Sequence, residues 1–253
     1  MKKAFTVIEL LLVVAIIGLL SALVLVGVKT SKEKSKIAAS KQFGANINHA
    51  LGADAVGVWT FDNVGANVPD DSGNGLTGTI HGSPDVVDGI IRKALYFDGS
   101  SDYIQIDNET AFDNIADFTY SAWVKAEDPS GYWQTIIDLD DDVQQFAVSD
   151  GGIGIYGRCR YGYFRGIDTE WHHVVWTVSG SNYVIYIDGV EVGRGSGCSA
   201  GVDANYMQIG DSNGEHFSGI LDEVGFYKKS LSQSQIQKLY AEGAERRGLA
   251  VEQ

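Results

Sequence analysis

The sequence predicts an all-β sandwich carried on a long N-terminal α-helix, on three observations. After Val56 the chain breaks into short β-branched and aromatic runs between Gly, Asp and Asn turns, at the roughly 8–15-residue spacing of a sandwich. Glycine is abundant at 31 and proline scarce at 3, so the turns rest on Gly, Asn and Asp. Ahead of that region, Phe5 to Val28 is an apolar run in which Glu9 is the sole ionisable side chain. Setting aside about 50 residues for the helix leaves about 200, the size of one sandwich domain.

The N-terminal run comes first. At 1.5 Å per residue a helix over 5–28 is about 36 Å long, enough to cross a bilayer. A carboxylate inside such a helix is costly and marks a functional position. Met1-Lys2-Lys3-Ala4-Phe5-Thr6-Val7-Ile8-Glu9 resembles the class III leader of type IV prepilins and type II secretion pseudopilins. The resemblance implies cleavage by a prepilin peptidase between Ala4 and Phe5, N-methylation of Phe5, and an assembly role for Glu9. The cationic Phe5 amine of one subunit would pair with Glu9 of a neighbour and set the register between packed helices. Ala4 stands where the family usually has Gly, and Val26 near its usual helix-breaking Pro.

Beyond Val28 the helical pattern continues with Lys29, Lys32, Lys34, Lys36 and Lys41, then an apolar stripe of Ala39, Phe43, Ile47 and Ala50 suited to docking on the head. Five lysines follow the span and two precede it, which by the positive-inside rule alone would place the head in the cytoplasm. The prepilin resemblance implies the opposite: a precursor in the bacterial inner membrane, then an extracellular pilus or cell-surface subunit. The expected organisation is leader 1–4, transmembrane and stalk helix 5–51, sandwich 52–243 and tail 244–253.

Charge divides the same way. Residues 1–51 hold seven Lys and two acids, net +5, so the −14 total leaves −19 on 52–253. Such a head repels phosphate backbones, which excludes nucleic acid as its partner.

Strands are expected at Gly57–Asp62, Ala94–Phe97, Tyr103–Ile106, Phe118–Ala126, Thr135–Leu139, Gln145–Ser149, Ile153–Cys159, His172–Val178, Tyr183–Ile187, Tyr206–Ile209 and Gly219–Tyr227. Val174, Trp176 and Val178 share one face and line the core. His172 and His173 are adjacent, so they point to opposite faces and cannot chelate one metal together. Asp188-Gly189 signals a type I′ hairpin. Ser232 and Gln235 form a capping box for a short helix whose Ile236, Leu239 and Tyr240 pack on the sandwich.

Val58-Trp59-Thr60-Phe61-Asp62, Asp71-Ser72-Gly73-Asn74-Gly75, Ala94-Leu95-Tyr96-Phe97-Asp98-Gly99, Phe118-Thr119-Tyr120-Ser121-Ala122-Trp123-Val124 and Trp171-His172-His173-Val174 come in one order with Tyr186-Ile187-Asp188-Gly189 and Gly219-Ile220-Leu221-Asp222-Glu223-Val224. Together they resemble the laminin-G-like, concanavalin-A-like jelly roll. Relatives of this type often hold a structural Ca²⁺ where the first loop meets the last strand, which implies Asp71, Asn74 and Asp222 as ligands. The alternative for the loop is an Asx-turn with solvated acids. Asp138, Asp140, Asp141 and Asp142, followed by Gln144 and Gln145, form a second acidic cluster, read as a solvated hairpin rather than a metal site. Cys159 and Cys198 form one disulfide in an exported domain or two buried thiols in the cytosol. Tyr156, Arg158, Arg160, Tyr161 and Tyr163 could stack on and hydrogen-bond a sugar, or simply form core and rim.

Nothing catalytic stands out. The same-strand pair of glutamates that a glycosidase on this fold requires does not occur, nor does a phosphate loop or H-E-x-x-H. The reading is therefore a non-enzymatic type IV pilin-like subunit, a minor pilin, assembling with other pilins and displaying its head for adhesion or for binding a glycan or surface protein. A pseudopilin of a type II secretion or DNA-uptake apparatus is the alternative. A membrane-anchored glycan-active enzyme is the third reading.

Overall fold

A computed structural model describes residues 53–247 apart from 109, 141–143, 160, 200 and 202, together with Leu11 and Val14. The leader, Ala4, Phe5, Glu9 and the stalk expected over 5–51 thus lie outside the described residues, Leu11 and Val14 excepted. Among the described residues no helix is long and apolar enough to cross a membrane.

Two eight-stranded antiparallel sheets form the head. In chain order the strands are β1 (Ala55–Trp59), β2 (Asn67–Val68), β3 (Gly78–His81), β4 (Asp85–Asp88), β5 (Lys93–Asp98), β6 (Tyr103–Asp107), β7 (Phe118–Ala126) and β8 (Gln134–Leu139). They continue with β9 (Gln144–Ser149), β10 (Gly152–Gly157), β11 (Gly162–Arg165), β12 (His172–Ser179), β13 (Asn182–Ile187), β14 (Val190–Ser196), β15 (Tyr206–Ile209) and β16 (Ser218–Tyr227), followed by helix α1 (Gln233–Arg247). The first sheet runs β14-β13-β12-β7-β16-β5-β4 with β1 also on β16, and the second runs β11-β10-β9-β8-β15-β6-β3-β2. This is the expected all-β jelly-roll sandwich.

Period-two alternation explains the core. Val174, Trp176 and Val178 of β12 join Phe118, Tyr120, Phe146 and Phe226 between the sheets. Phe118 meets Trp176 edge-on, with centroids 5.2 Å apart and planes at 79°. On the other face of the first sheet, His173 reaches Ser121 Oγ from Nε2 at 2.9 Å. Trp123 stacks on Tyr240 of α1 at 5.6 Å and clusters with Ala244. Ser232 N donates to Gln235 Oε1 at 2.9 Å, as a capping box does. The helix carries on through Arg247, past the boundary expected at 243.

Five strands escaped the sequence reading: β2, β3, β4, β11 and β14. Four of them are sheet edges, where one side of the ladder and much of both faces meet solvent, so alternation is not enforced. In β14 the glycines themselves are structural: a Cβ on Gly193 would lie 2.1 Å from the Phe164 ring. That close approach brings the β11 and β14 edges of the two sheets together.

β16 changes partner midway. Ser218–Leu221 pairs with β5 and Val224–Tyr227 with β1, while β7 runs along its other side with an irregularity between Asp222 and Gly225. Glu223 takes a left-handed φ of 48° there. Asp222 fills the gap: its Oδ2 accepts the amides of Ile90 at 2.8 Å and Ile91 at 3.0 Å, and its Oδ1 accepts the Glu223 amide at 2.8 Å.

Candidate functional site

Tyr132, Tyr161 and Tyr156 are 84 %, 64 % and 46 % exposed, and they are the exposed aromatic side chains among the described residues. Tyr156 and Tyr161 flank the turn between β10 and β11, while Tyr132 sits in the loop entering β8, by the turn between β9 and β10. Ile153 and Ile155 of β10 point into the core, so Gly154 and Tyr156 face outward. Trp133, from the loop entering β8, lies flat over Gly154, where a Cβ would stand 2.5 Å from its ring. Only glycine leaves that space. Tyr161 stacks on Trp133 with centroids 5.6 Å apart and planes at 30°. The result is an aromatic ledge in which Trp133 is buried between Gly154 and Tyr161, and Tyr161 and Tyr156 are open to solvent.

A polar row runs from the ledge across the same face. Cross-strand register places Tyr156 opposite Gln145, Gln145 opposite Asp138, Asp138 opposite Gln208, and Gln208 opposite Gln105. Gln145 Nε2 donates to Thr135 Oγ1 at 2.7 Å and to Glu215 Oε2 at 2.5 Å. Asp138 and Gln145 are buried, so the loop bearing Glu215 roofs the middle of the row while Gln105 stays partly open. Asp138 is thus no part of a solvated hairpin. Asp140 accepts the Asn205 amide at 3.1 Å, and Asp141 and Asp142 lie outside the described residues.

Of the five residues expected at a ligand, Tyr156 and Tyr161 are on the ledge. Tyr163 is half-buried and donates its hydroxyl to the Asp150 carbonyl. Arg160 lies outside the described residues. Arg158 is a correction: its guanidinium is buried and donates to the carbonyls of Ser199, of Ile115 at 2.6 Å and of Ala116 at 2.9 Å, so it is committed to the interior rather than to a sugar. Cys159 and Cys198 are joined by a disulfide. The sequence reading missed Trp133, although Gly152 and Gly154 alternating in a strand signal a close approach.

Each of the three residues implied as Ca²⁺ ligands is engaged by the protein itself. Asn74 Nδ2 donates to the carbonyls of Ala55 at 2.8 Å and Val56 at 3.0 Å. Asp71 accepts the Thr60 hydroxyl at 2.6 Å, and Asp222 is occupied by three amides in the β16 gap. The loop acts instead as a substitute strand on the free edge of β1. Asp70 Oδ1 accepts the Val58 amide at 3.0 Å and the Asp71 amide donates back to the Val58 carbonyl at 2.7 Å. Among the described residues no group of three or more His, Cys, Asp or Glu could hold a metal ion.

Among the groups with shifted titration, a carboxyl and an imidazole buried on the first sheet stand out. Burial pushes the Asp222 carboxyl up to about 8, against the lowering influence of its amide donors. Burial pushes the His173 imidazole down to about 4, with Asp188 working the other way. Neither lies on the ledge.

Residues 98–237 match the profile of a family described as the concanavalin A-like lectin/glucanases superfamily, in its third laminin-G group. The fold is similar to domain 4 of AbnA, a GH43 extracellular arabinanase from Geobacillus stearothermophilus, solved in complex with arabinotriose. That likeness has 24% identity and a TM-score of 0.62 over 74% of this chain and 98% of that one. The binding domain of Paraclostridial Mosquitocidal Protein 1 is similar at 16% identity and a TM-score of 0.62, over 75% of this chain and 52% of that one. The binding domain of Botulinum neurotoxin DC, in complex with rat synaptotagmin II, is similar at 13% identity and 0.62, over 76% and 52%. This chain spans about half the length of those two toxin domains, and identities this low establish shared fold alone. No curated protein sequence matches the chain.

Proposed function

The chain belongs to the concanavalin A-like lectin/glucanases superfamily, and from that premise we propose that its head is a non-catalytic ligand-binding module whose contact surface is the ledge that Tyr161 and Tyr156 present, with the buried Trp133 as its base. The observation that carries the reading is the pair of exposed tyrosines, Tyr156 and Tyr161, flanking one turn over a buried tryptophan. A flat exposed ring offers its face to the C–H side of a sugar, and the open end of the polar row supplies amides for hydroxyl groups. Domain 4 of AbnA was solved with arabinotriose, and the two toxin domains are named as binding domains, which supports a binding role. A neutral glycan is the ligand class we favour over a protein, because the head carries net charge −19 and the ledge offers ring faces rather than a large apolar patch.

The N-terminal sequence supplies the second half of the proposal: the chain is a type IV pilin-like subunit, a minor pilin, held in the inner membrane before assembly and displayed on a surface filament afterwards. The support is Glu9 set five places beyond the proposed Ala4–Phe5 cut.

The test is a screen of detergent-solubilised full-length protein on neutral and anionic oligosaccharides, arabinotriose included, with Trp133→Ala and Tyr161→Ala beside the parent. We expect neutral glycans to bind and each variant to lose about tenfold or more in affinity, equivalent to about 1.4 kcal/mol. Variants that bind like the parent would remove the ledge from function. Sugar hydrolysis by the parent would make the head an enzyme.

A further inference from the structure

The hairpin turn between β10 and β11 carries Tyr161 at its tip and is held from behind at two consecutive residues. Arg158 clamps three carbonyls from two separate segments, Ile115 and Ala116 on one side and Ser199 on the other. Cys159 is bridged to Cys198, the neighbour of Ser199 and 39 residues further along the chain. Ser199 N in turn donates to the Arg158 carbonyl at 3.0 Å. Residues 158–159 and 198–199 therefore form one knot of a disulfide and reciprocal hydrogen bonds. Tyr161 stands two residues beyond Cys159, and its ring is the outer layer over Trp133.

The free edge of β11 has no further strand, and Tyr161 itself is mostly exposed. The β10–β11 ladder holds the hairpin from Gly162 onward, and the knot holds the other side of the turn, at Arg158 and Cys159. We infer that Arg158 and the Cys159–Cys198 bridge are positioning residues for the aromatic ledge, so that ligand binding requires the oxidised bridge. This rests on the ledge being the ligand site. Reduction by an external dithiol adds two electrons and two protons to the bridge, giving free Cys159 and Cys198 thiols while the reductant closes to its own disulfide. The turn then keeps the β10–β11 ladder and the hydrogen bonds between Arg158 and Ser199 but loses its covalent tie, Tyr161 leaves Trp133, and the ledge loses its outer face. Secretion to an oxidising exterior keeps the bridge closed; a reducing compartment would hold the head in a low-affinity form.

Hydrogen exchange read by mass spectrometry tests the anchor without any ligand. Full-length protein is compared oxidised, treated with dithiothreitol, as the Cys159→Ser/Cys198→Ser double variant, and as Arg158→Lys, which keeps the charge but cannot fork to three carbonyls. We expect peptides covering 130–134 and 158–163 to exchange about tenfold faster or more in all three perturbed samples, with the β12 peptide 172–179 unchanged. Affinity for whichever oligosaccharide the screen selects should fall about tenfold in the same samples, while the parent returned to oxidising buffer recovers it. Unchanged exchange at 158–163 after reduction overturns the inference, as does equal acceleration of the β12 peptide, since that is global loosening. If exchange behaves as expected but Trp133→Ala and Tyr161→Ala bind like the parent, the anchor stands and the ledge reading is what failed.

Discussion

Acid should loosen this head through one histidine. His173 is buried between the first sheet and α1, 5.2 Å from Trp123 and 6.3 Å from Tyr240, with Ser121 Oγ on Nε2. Burial holds its imidazole near 4 in the folded state, against about 6.5 unfolded. Between those values the unfolded chain binds a proton that the folded one refuses, so stability rises with pH there and is lost as pH falls. At pH 4.5 the penalty is about 2.5 kcal/mol, and it vanishes above about pH 7. The perturbation is His173→Gln, which cannot titrate and can still bond Ser121. Every other carboxylate and histidine, Asp188 included, is common to both proteins and cancels in the difference. Urea melts of parent and variant at pH 7.0, 6.0, 5.0 and 4.5 should diverge in the variant's favour by about 2–3 kcal/mol at the acid end, a Tm gap of about 5–10 °C for a domain of this size. Curves that stay parallel from pH 7.0 to 4.5 would mean that His173 is not held neutral by burial, and the argument fails.

Asp222 carries the opposite sign. Its folded carboxyl keeps a proton that the unfolded chain sheds between about 3.8 and 8, so the parent should lose stability relative to Asp222→Asn as pH rises through that window. Asp222→Ala, which strands three buried amides at about 1–3 kcal/mol each, should cost more than about 3 kcal/mol at pH 4; a loss below about 1 kcal/mol would show that the gap in β16 closes without the side chain. With Asp70, Asp71 and Asp222 already holding backbone amides or Thr60, millimolar Ca²⁺ should shift Tm by under about 1 °C relative to chelator, since an ion binding only the folded state would add stability; a larger gain abolished by Asp71→Ala would restore the loop as a metal site. At the N-terminus, mass spectrometry should find N-methylated Phe5 as the first mature residue, and Glu9→Val should be processed yet absent from filaments; a mature protein beginning at Met1 would end the pilin reading.

The sequence reveals those parts of the fold that burial makes periodic. β7, β12 and β16 read cleanly because alternate residues such as Val174 and Trp176 must enter the core. β4 and β14 did not, because at a sheet edge charged and glycine residues satisfy the backbone as well as apolar ones. Tyr156 and Tyr161 were visible as an aromatic cluster, but the same cluster misassigned Arg158, whose partners Ile115, Ala116 and Ser199 are brought together only by the tertiary fold. The row Gln105–Gln208–Asp138–Gln145 depends on register across four strands, and no local pattern encodes it. The resemblance singled out Asp222 as a Ca²⁺ ligand, whereas the role seen for it, an acceptor for amides, depends on where β5 ends and β1 begins.

That partner change on β16 also decides how the head bears tension. Any pull delivered through residue 53 enters by β1, and β1 is sewn on both sides: by the β16 ladder on one edge and by Asp70, Asp71 and Asn74 on the other. Asp54 adds an ion pair to Lys229 at 2.8 Å and accepts the Lys228 amide at 2.9 Å, just past the end of β16. β16 lies in the interior of its sheet, with β7 along its far side. Force arriving from a tether is thus spread at once over an interior strand and its neighbours, where hydrogen bonds must yield together.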